Sequence, residues 1–353
     1  MAVAKIPPPS VTLSLETQIR ALELVVLSDP DAARVRLLQL RHAAQQEGDP
    51  ASEAYALCLL GGCAYFQGEN RVLAEYAREA LTLAQGAGLR SLECRCWNAL
   101  GLAAFRLGRP DTALEHYAAS ARLARDLEEP VSLARALVNM AAVYGDLDDH
   151  AQALHLCRLS TDITGPAGTV HYLLEGRRGM IDALRHLGRA AEAAALMPES
   201  LGLAEEYDLK RPIANLRLLE GLLHLDAGEV EPARESAKAG LRAAQAAQDN
   251  ESTAQLRGLL GEVHLHAGEF TDAYRELSRS ERLAQTIRHP GLEAAAKCRL
   301  ARLFEAQDEL DLARTYREAK SALLGALHGQ GVKARALAVA AQLRAELAEL
   351  PPV

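Results

Sequence analysis

The sequence predicts an all-α solenoid of about eight helix hairpins with a C-terminal capping helix, and three observations carry that prediction. Turn-forming residues recur every forty positions, at Gly68, Gly108, Asp148, Gly188, Gly228, Gly268 and Asp308. Five residues past the turns stand Ala113, Ala153, Ala193, Ala233, Ala273 and Ala313, with Leu73 the exception, and Ser28 with Ala33 carries the register one unit back. Eight residues before the turns come Leu60, Leu100, Met140, Met180, Leu260 and Leu300, with Glu220 the exception; the next residue is Gly or Ala everywhere but Ile181. A small residue where two helices cross lets the backbones approach, and the large neighbour fills the groove beside it. A fixed period of this length means stacked hairpins, each burying its apolar face against the next.

The chain begins with a stretch, residues 1–13, in which Pro7, Pro8 and Pro9 forbid a helix, so a flexible tail is expected there. The repeat array is expected over residues 14–329, with turns near 28, 68, 108, 148, 188, 228, 268 and 308. Ser14 to Gly48 is its first hairpin, with Pro30 just inside the second helix and a weaker match elsewhere, as a terminal unit should have. The clearest unit runs from Trp97 to Ala124. Trp97, Leu100, Gly101, Ala104 and Leu107 share one helical face, Gly108 ends that helix, and Ala113, Leu114, Tyr117, Ala121 and Ala124 form the facing stripe. Gly86 with Gly88, and Gly165, Pro166 and Gly168, break one unit from the next, while Pro50, Pro130 and Pro290 share the register of a helix's first turn. Residues 330–353 hold one more helix, Val332 to Leu350, stopped by Pro351 and Pro352 and expected to cover the last unit's apolar side.

At this point the residues resemble the tetratricopeptide repeat family. Trp97, Leu100, Gly101, Gly108 and Ala113 meet the family's pattern, and Ser120 stands where a small residue is required. The resemblance extends from Ser14 to Leu324, although the period is 40 rather than the usual 34, and the family's Pro at the unit's end is missing. It looks like the long-period type of bacterial signalling and transcription regulators. HEAT-type repeats have a similar period, but the spacing from Gly through the turn to Ala argues against them. The resemblance implies a right-handed superhelix whose first helices line a concave groove.

Composition and motifs narrow the function. Aromatic residues are 4% of the chain, so its apolar half is mostly Ala and Leu, which are strong helix formers. A net charge of −8 argues against wholesale attraction to nucleic acid or anionic lipid. No run of about 18 apolar residues occurs, so no membrane span is expected and a cytoplasmic protein is. Phosphate loops, HExxH, nucleophile elbows and paired Cys-x-x-Cys motifs are missing, which leads to the expectation of a chain that is not an enzyme and has no cofactor or metal. Only Asp182 with His186 offers an acid–base pair, and i, i+4 spacing makes such pairs common. Cys58, Cys63, Cys94, Cys96, Cys157 and Cys298 lie within helical patterns and read as small buried hydrophobes. His224 and His264 are one repeat apart, about 10 Å, too far to share a metal.

The stripe expected to face the groove is Arg95, Asn98, Leu102 and Arg106, then Arg135, Ala142 and Asp146 with Asn139 one residue out of strict register, then Glu175, Arg178, Asp182, Arg185 and His186. By the resemblance, Asn139 sits where family members often hold an extended peptide's backbone. The flanking positions of the family's carboxylate clamp hold Leu102, Glu175 and Gly179 instead, so a chaperone-tail clamp is not supported. The candidate partner-binding residues are therefore Arg95, Asn98, Arg106, Arg135, Asn139, Arg178, Asp182, Arg185 and His186, and an acidic protein segment or peptide suits them. Two further features have competing readings. Gly176 and Gly179 inside one helix signal either a ligand's approach or close helix packing. Arg177, Arg217, Arg257 and Lys297 form a cationic ladder that either follows an acidic partner or pairs with Glu220, Glu262 and Glu293. The leading expectation is a non-catalytic adaptor binding a protein segment; the alternative is a receptor for a small ligand or signalling peptide that alters the superhelix. The oligomeric state is left open.

Overall fold

The computed structural model describes residues 13–165, 169–327 and 331–348, and among these all regular structure is helical. Its elements are α1 (Leu15–Arg20), α2 (Glu23–Ser28), α3 (Pro30–Glu47), α4 (Pro50–Phe66), α5 (Asn70–Gly86), α6 (Arg90–Arg106), α7 (Pro110–Asp126), α8 (Pro130–Asp146) and α9 (His150–Thr164). They continue as α10 (Val170–His186), α11 (Ala190–Glu206), α12 (Lys210–Asp226), α13 (Val230–Ala246), α14 (Asn250–His266), α15 (Phe270–Thr286), α16 (Pro290–Ala306), α17 (Leu310–Leu327) and α18 (Val332–Ala348). From α4 to α17 they pair as seven hairpins, and α3 pairs with the broken helix α1–α2 as an eighth. The tail expected at residues 1–13 lies, but for residue 13, outside the described residues, as do Pro166, Gly168, Pro351 and Pro352.

The mechanical period is half the one the sequence announced. Almost every helix from α4 onward starts twenty residues after the last, and the short connections carry a left-handed residue. All seven turns from Gly68 to Asp308 have positive φ, and so do the connections between units at Gly88, Glu128, Asp208, Gln248 and Arg288. At Gly108 the reversal is fixed by two backbone bonds, Gly108 N–H to Phe105 C=O at 3.0 Å and Arg109 N–H to Ala104 C=O at 2.9 Å. These satisfy carbonyls that a helix end leaves unpaired. Pro30, Pro50, Pro110, Pro130 and Pro290 begin helices, where the missing N–H costs nothing.

The crossings are where the small residues were expected. Ala113, Ala193, Ala233 and Ala273 are wholly buried, and Ala153 and Ala313 nearly so. A Cβ at Gly101 would stand 2.5 Å from the Tyr117 ring, so the bare backbone is what lets this ring lie flat across α6. Gly176 and Gly179 have the same explanation: side chains there would strike Thr161 and Cys157 of α9. Close helix packing, rather than a ligand's approach, accounts for them. The described cysteines are all free thiols.

Two sequence expectations need correction. The first hairpin's leading helix is broken at Ala21 and Leu22 into α1 and α2. More consequentially, α18 does not cover the last hairpin: its chief packing partner is α7, and Ala336, Ala340 and Leu343 join the large apolar core that runs from α6 to α12. Long-range contacts decide that seat, and no local pattern encodes them. No helix of the described residues is long and apolar enough to cross a membrane.

The inner groove as candidate functional site

Arg106, at the end of the stripe that begins with Arg95, reaches across to a helix 145 residues away. Its guanidinium donates to Glu251 Oε2 of α14 at 2.5 Å and to the Tyr65 hydroxyl at 3.1 Å. The C-terminal ends of α4 and α6 therefore meet the N-terminal ends of α12, α14 and α16, and successive turns of the superhelix touch end to end. The fit is close: a Cβ at Gly68 would lie 2.3 Å from the carbonyl oxygen of Ile287, so glycine alone fits there. Arg211 lies over the Phe66 ring at 5.1 Å and donates to Asp249 at 2.7 Å, completing a polar junction. A cavity of ≈ 830 Å³ opens at this junction, lined by Tyr65, Arg106, Arg211, Glu251 and His289 among others. Burial alone would raise the Glu251 carboxyl, but the nearby His289, 3.7 Å away, and the charge and hydrogen bond of Arg106 outweigh it and hold it at about 2.

The expected residues fall into four groups, Arg185 belonging to two. Asn98 and Asn139 come together, Asn139 Nδ2 donating to Asn98 Oδ1 at 2.9 Å across α6 and α8. Arg95, Arg106, Arg178 and Arg185 already have acidic partners: Glu23 at 2.7 Å, Glu251, Glu175 at 3.0 Å and Asp226 at 2.9 Å. The positive field suggested by the arginines alone is thus largely neutralised. Arg135 has a buried Nε without a hydrogen-bond partner, as Arg185 does, but unlike Arg185 it makes no ion pair to a described carboxylate. Asp182, Arg185 and His186 cluster at the end of α10, where the His186 ring stacks on His150 at 4.3 Å and burial pushes the His186 imidazole below its usual range. The Asp182 to His186 separation is 3.7 Å, longer than a hydrogen bond.

Outside the groove, the cationic ladder is paired within the fold. Arg177 meets Glu199, Arg217 meets Glu220 and Glu205, Arg257 meets Glu276, and Lys297 meets Glu281 and Glu293. Glu262 pairs with Arg299 and Arg302 instead of the ladder. His264, Glu269 and Asp272 gather within 4.8 Å of one another, but Arg234 donates to both His264 and Glu269 and already supplies the cation. Sequence reasoning missed Glu23, Tyr65, Arg211, Glu251 and His289. A faint signal exists, because Arg211 and Glu251 are forty apart at the start of successive first helices.

Comparison with known proteins bears on this geometry. Residues 92–164, which span α6 to α9, match the tetratricopeptide repeat model. No curated protein matches the chain in sequence. Among solved structures, a Rap protein complexed with competence and sporulation factor superposes with a TM-score of 0.72 at 12% identity, covering 89% of this chain and 86% of the other. NprR in complex with its cognate peptide NprX gives 0.64 at 14% identity, over 95% of this chain and 99% of that one. Aspartyl phosphate phosphatase F from Bacillus subtilis gives 0.61 at 10% identity, over 90% and 96%. That third likeness overturns the expectation that this is not an enzyme, since the same fold carries a phosphatase. The expectation failed because motif searches see only residues close in sequence, whereas this fold assembles polar groups from distant repeats, as Arg106 and Glu251 demonstrate. The chain is an all-α tetratricopeptide-type helical repeat, related in fold to the Rap and NprR structures and carrying the repeat's own sequence signature in α6 to α9.

Proposed function

We propose that the chain is a regulatory receptor for a short peptide, held extended in the inner groove along α6, α8 and α10, and that it acts in the cytoplasm. The observation that carries this reading is the pairing of Asn98 and Asn139 beside Arg135, whose buried Nε lacks an acceptor. Side-chain amides offer both donors and acceptors and suit a peptide backbone. A buried donor without a partner costs about 1–3 kcal/mol, which an incoming carbonyl or carboxylate would recover. The likeness to a Rap protein complexed with competence and sporulation factor, and to NprR with its cognate peptide, supports a peptide over a large protein surface. Because most groove arginines already have acidic partners, one or two acidic groups suit the site better than a polyacidic tract.

The test is thermal stabilisation of the intact chain by a panel of short peptides, with and without Asp, Glu or a free C-terminal carboxylate. A peptide that binds the parent should lose about 2–5 kcal/mol of binding free energy with Arg135→Ala if it meets that guanidinium in the desolvated groove. Asn139→Ala should weaken peptides of any sequence alike, because the amide would read backbone. Parent-like affinity in an Arg135→Ala, Arg178→Ala double variant that keeps its helical circular dichroism would remove this wall as the site.

A further inference from the structure

The seat of α18 is out of sequence order. Leu327 ends α17 and Val332 begins α18, so five peptide steps separate them and the two ends lie within about 17 Å. Yet α18 packs on α7, more than two hundred residues earlier. The last hairpin is thereby held beside the third and fourth. Val332, Ala336, Ala340 and Leu343 fall on one helical face and are buried. The Tyr144 hydroxyl of α8 donates to the Ala340 carbonyl at 3.0 Å, deep in that seat. Around it lie three ion pairs: Lys333 with Asp148 at 2.7 Å, Arg335 with Asp111 at 3.1 Å, and Arg344 with Asp149.

We propose that α18 is an ionic strap that holds the superhelix closed around its inner groove and opens it on release. Two features of the seat point this way. Its apolar contact is modest, three of the four buried residues being Ala or Val, so the helix is not anchored by a large hydrophobic surface. Its basic side chains are more than half exposed, at 60%, 59% and 54%, so water and salt compete for each pair. The strap also acts on the groove's own wall. Tyr144 and the acceptors Asp148 and Asp149 belong to α8 and the turn that follows it, and α8 also carries Arg135 and Asn139, the residues proposed to meet the peptide. The junction of Arg106 with Glu251 is the second contact between turns, so release of α18 leaves closure to a single polar cluster.

The inference leans on the peptide-receptor reading only for what opening would expose, and its test needs no peptide. The intact chain would be compared with a Lys333→Glu, Arg335→Glu, Arg344→Glu variant, which changes exposed positions on α18 alone and leaves the array's sequence untouched. Ala336→Glu, which puts a charge into the seat, breaks the contact independently. Hydrogen–deuterium exchange would read α18 and the ends of α6 and α14, and small-angle scattering the radius of gyration. In both variants, exchange across α18 should rise about tenfold or more, exchange at the ends of α6 and α14 should rise with it, and the radius of gyration should grow. The parent in 0.5 M salt should move part of the way, as screening at about 4–5 Å predicts. Unchanged α18 protection in the charge-reversal variant would overturn the ionic strap. Release of α18 with parent-like scattering and parent-like exchange at the junction would equally overturn it, leaving α18 a passenger. Either failure would leave peptide binding standing, and loss of peptide binding would leave the strap standing.

Discussion

At the register of Trp97, the first helices carry Trp97 in α6 and Leu137 in α8, but Arg177, Arg217, Arg257 and Lys297 from α10 onward. The units on either side of that change share helix lengths, turns and small residues at the crossings, yet their seams differ. In α6 to α9, the wholly buried Leu137 and Met140 and the buried rings of Tyr117 and Tyr144 knit one large apolar core. In α12 to α17 the apolar clusters are small and separate, and ion pairs bridge them, Arg217 to Glu205 and Glu220, Arg257 to Glu276, Lys297 to Glu281. The position is wholly buried at Leu137 but partly exposed where the cations stand, so a long cationic stem can lie over the helix interface while its head meets an acid on the second helix. One backbone plan therefore accepts a dry seam or an ionic one, and the two should respond differently to salt and to truncation.

The largest effect should come from the dry seam. Tyr117→Ala removes a ring packed flat on Gly101 and should cost about 3–5 kcal/mol, read as a lowered melting temperature; a parent-like melt would show that the core does not depend on that ring. Next, Ala153→Leu and Ala233→Leu overpack one crossing in each half and should cost about 1–3 kcal/mol apiece. Similar losses would show that the crossings are equivalent although the seams are not, and a loss confined to one half would show that the seams control the crossings. Smaller again, Arg257→Ala leaves Glu276, 7% exposed, with only Arg279 and Arg275 as partners, and should cost about 1–2 kcal/mol. Urea unfolding followed by hydrogen exchange at low and high salt would show α12 to α17 weakening with salt and α6 to α9 holding.

The junction between the two regions is tested by a pH slope. Glu251 is held at about 2 in the folded chain against 4.5 as its ordinary value, so the unfolded chain binds more protons between the two. Its contribution is present above about pH 4.5 and is lost as pH falls toward 2. Glu251→Gln should flatten the fall of melting temperature over that window, and an identical slope in the variant would mean that the junction of Arg106, Glu251 and His289 adds nothing to closure.

How much could be read beforehand follows from the range of each interaction. The turn register, the buried Ala series and the starts at Pro50, Pro130 and Pro290 were legible because each is fixed within one hairpin. Asn98 and Asn139 were legible as neighbours because adjacent repeats sit side by side. The acids that neutralise Arg95 and Arg106 were not: Glu23 lies 72 residues from Arg95, and Glu251 lies 145 from Arg106. The break in the first helix at Ala21 and Leu22 also escaped notice, since neither residue is a helix breaker.

By itself, the sequence determined the unit: helix length, reversal by a left-handed residue, and a small side chain at each crossing. These are local choices, settled by backbone sterics and by the apolar face one helix offers the next. Only the tertiary structure decided which units meet again. The rotation from each repeat to the next is small and accumulates along the array, so the end-to-end contact of α6 with α14 and the seat of α18 on α7 depend on every hairpin in between, and no window of sequence contains them.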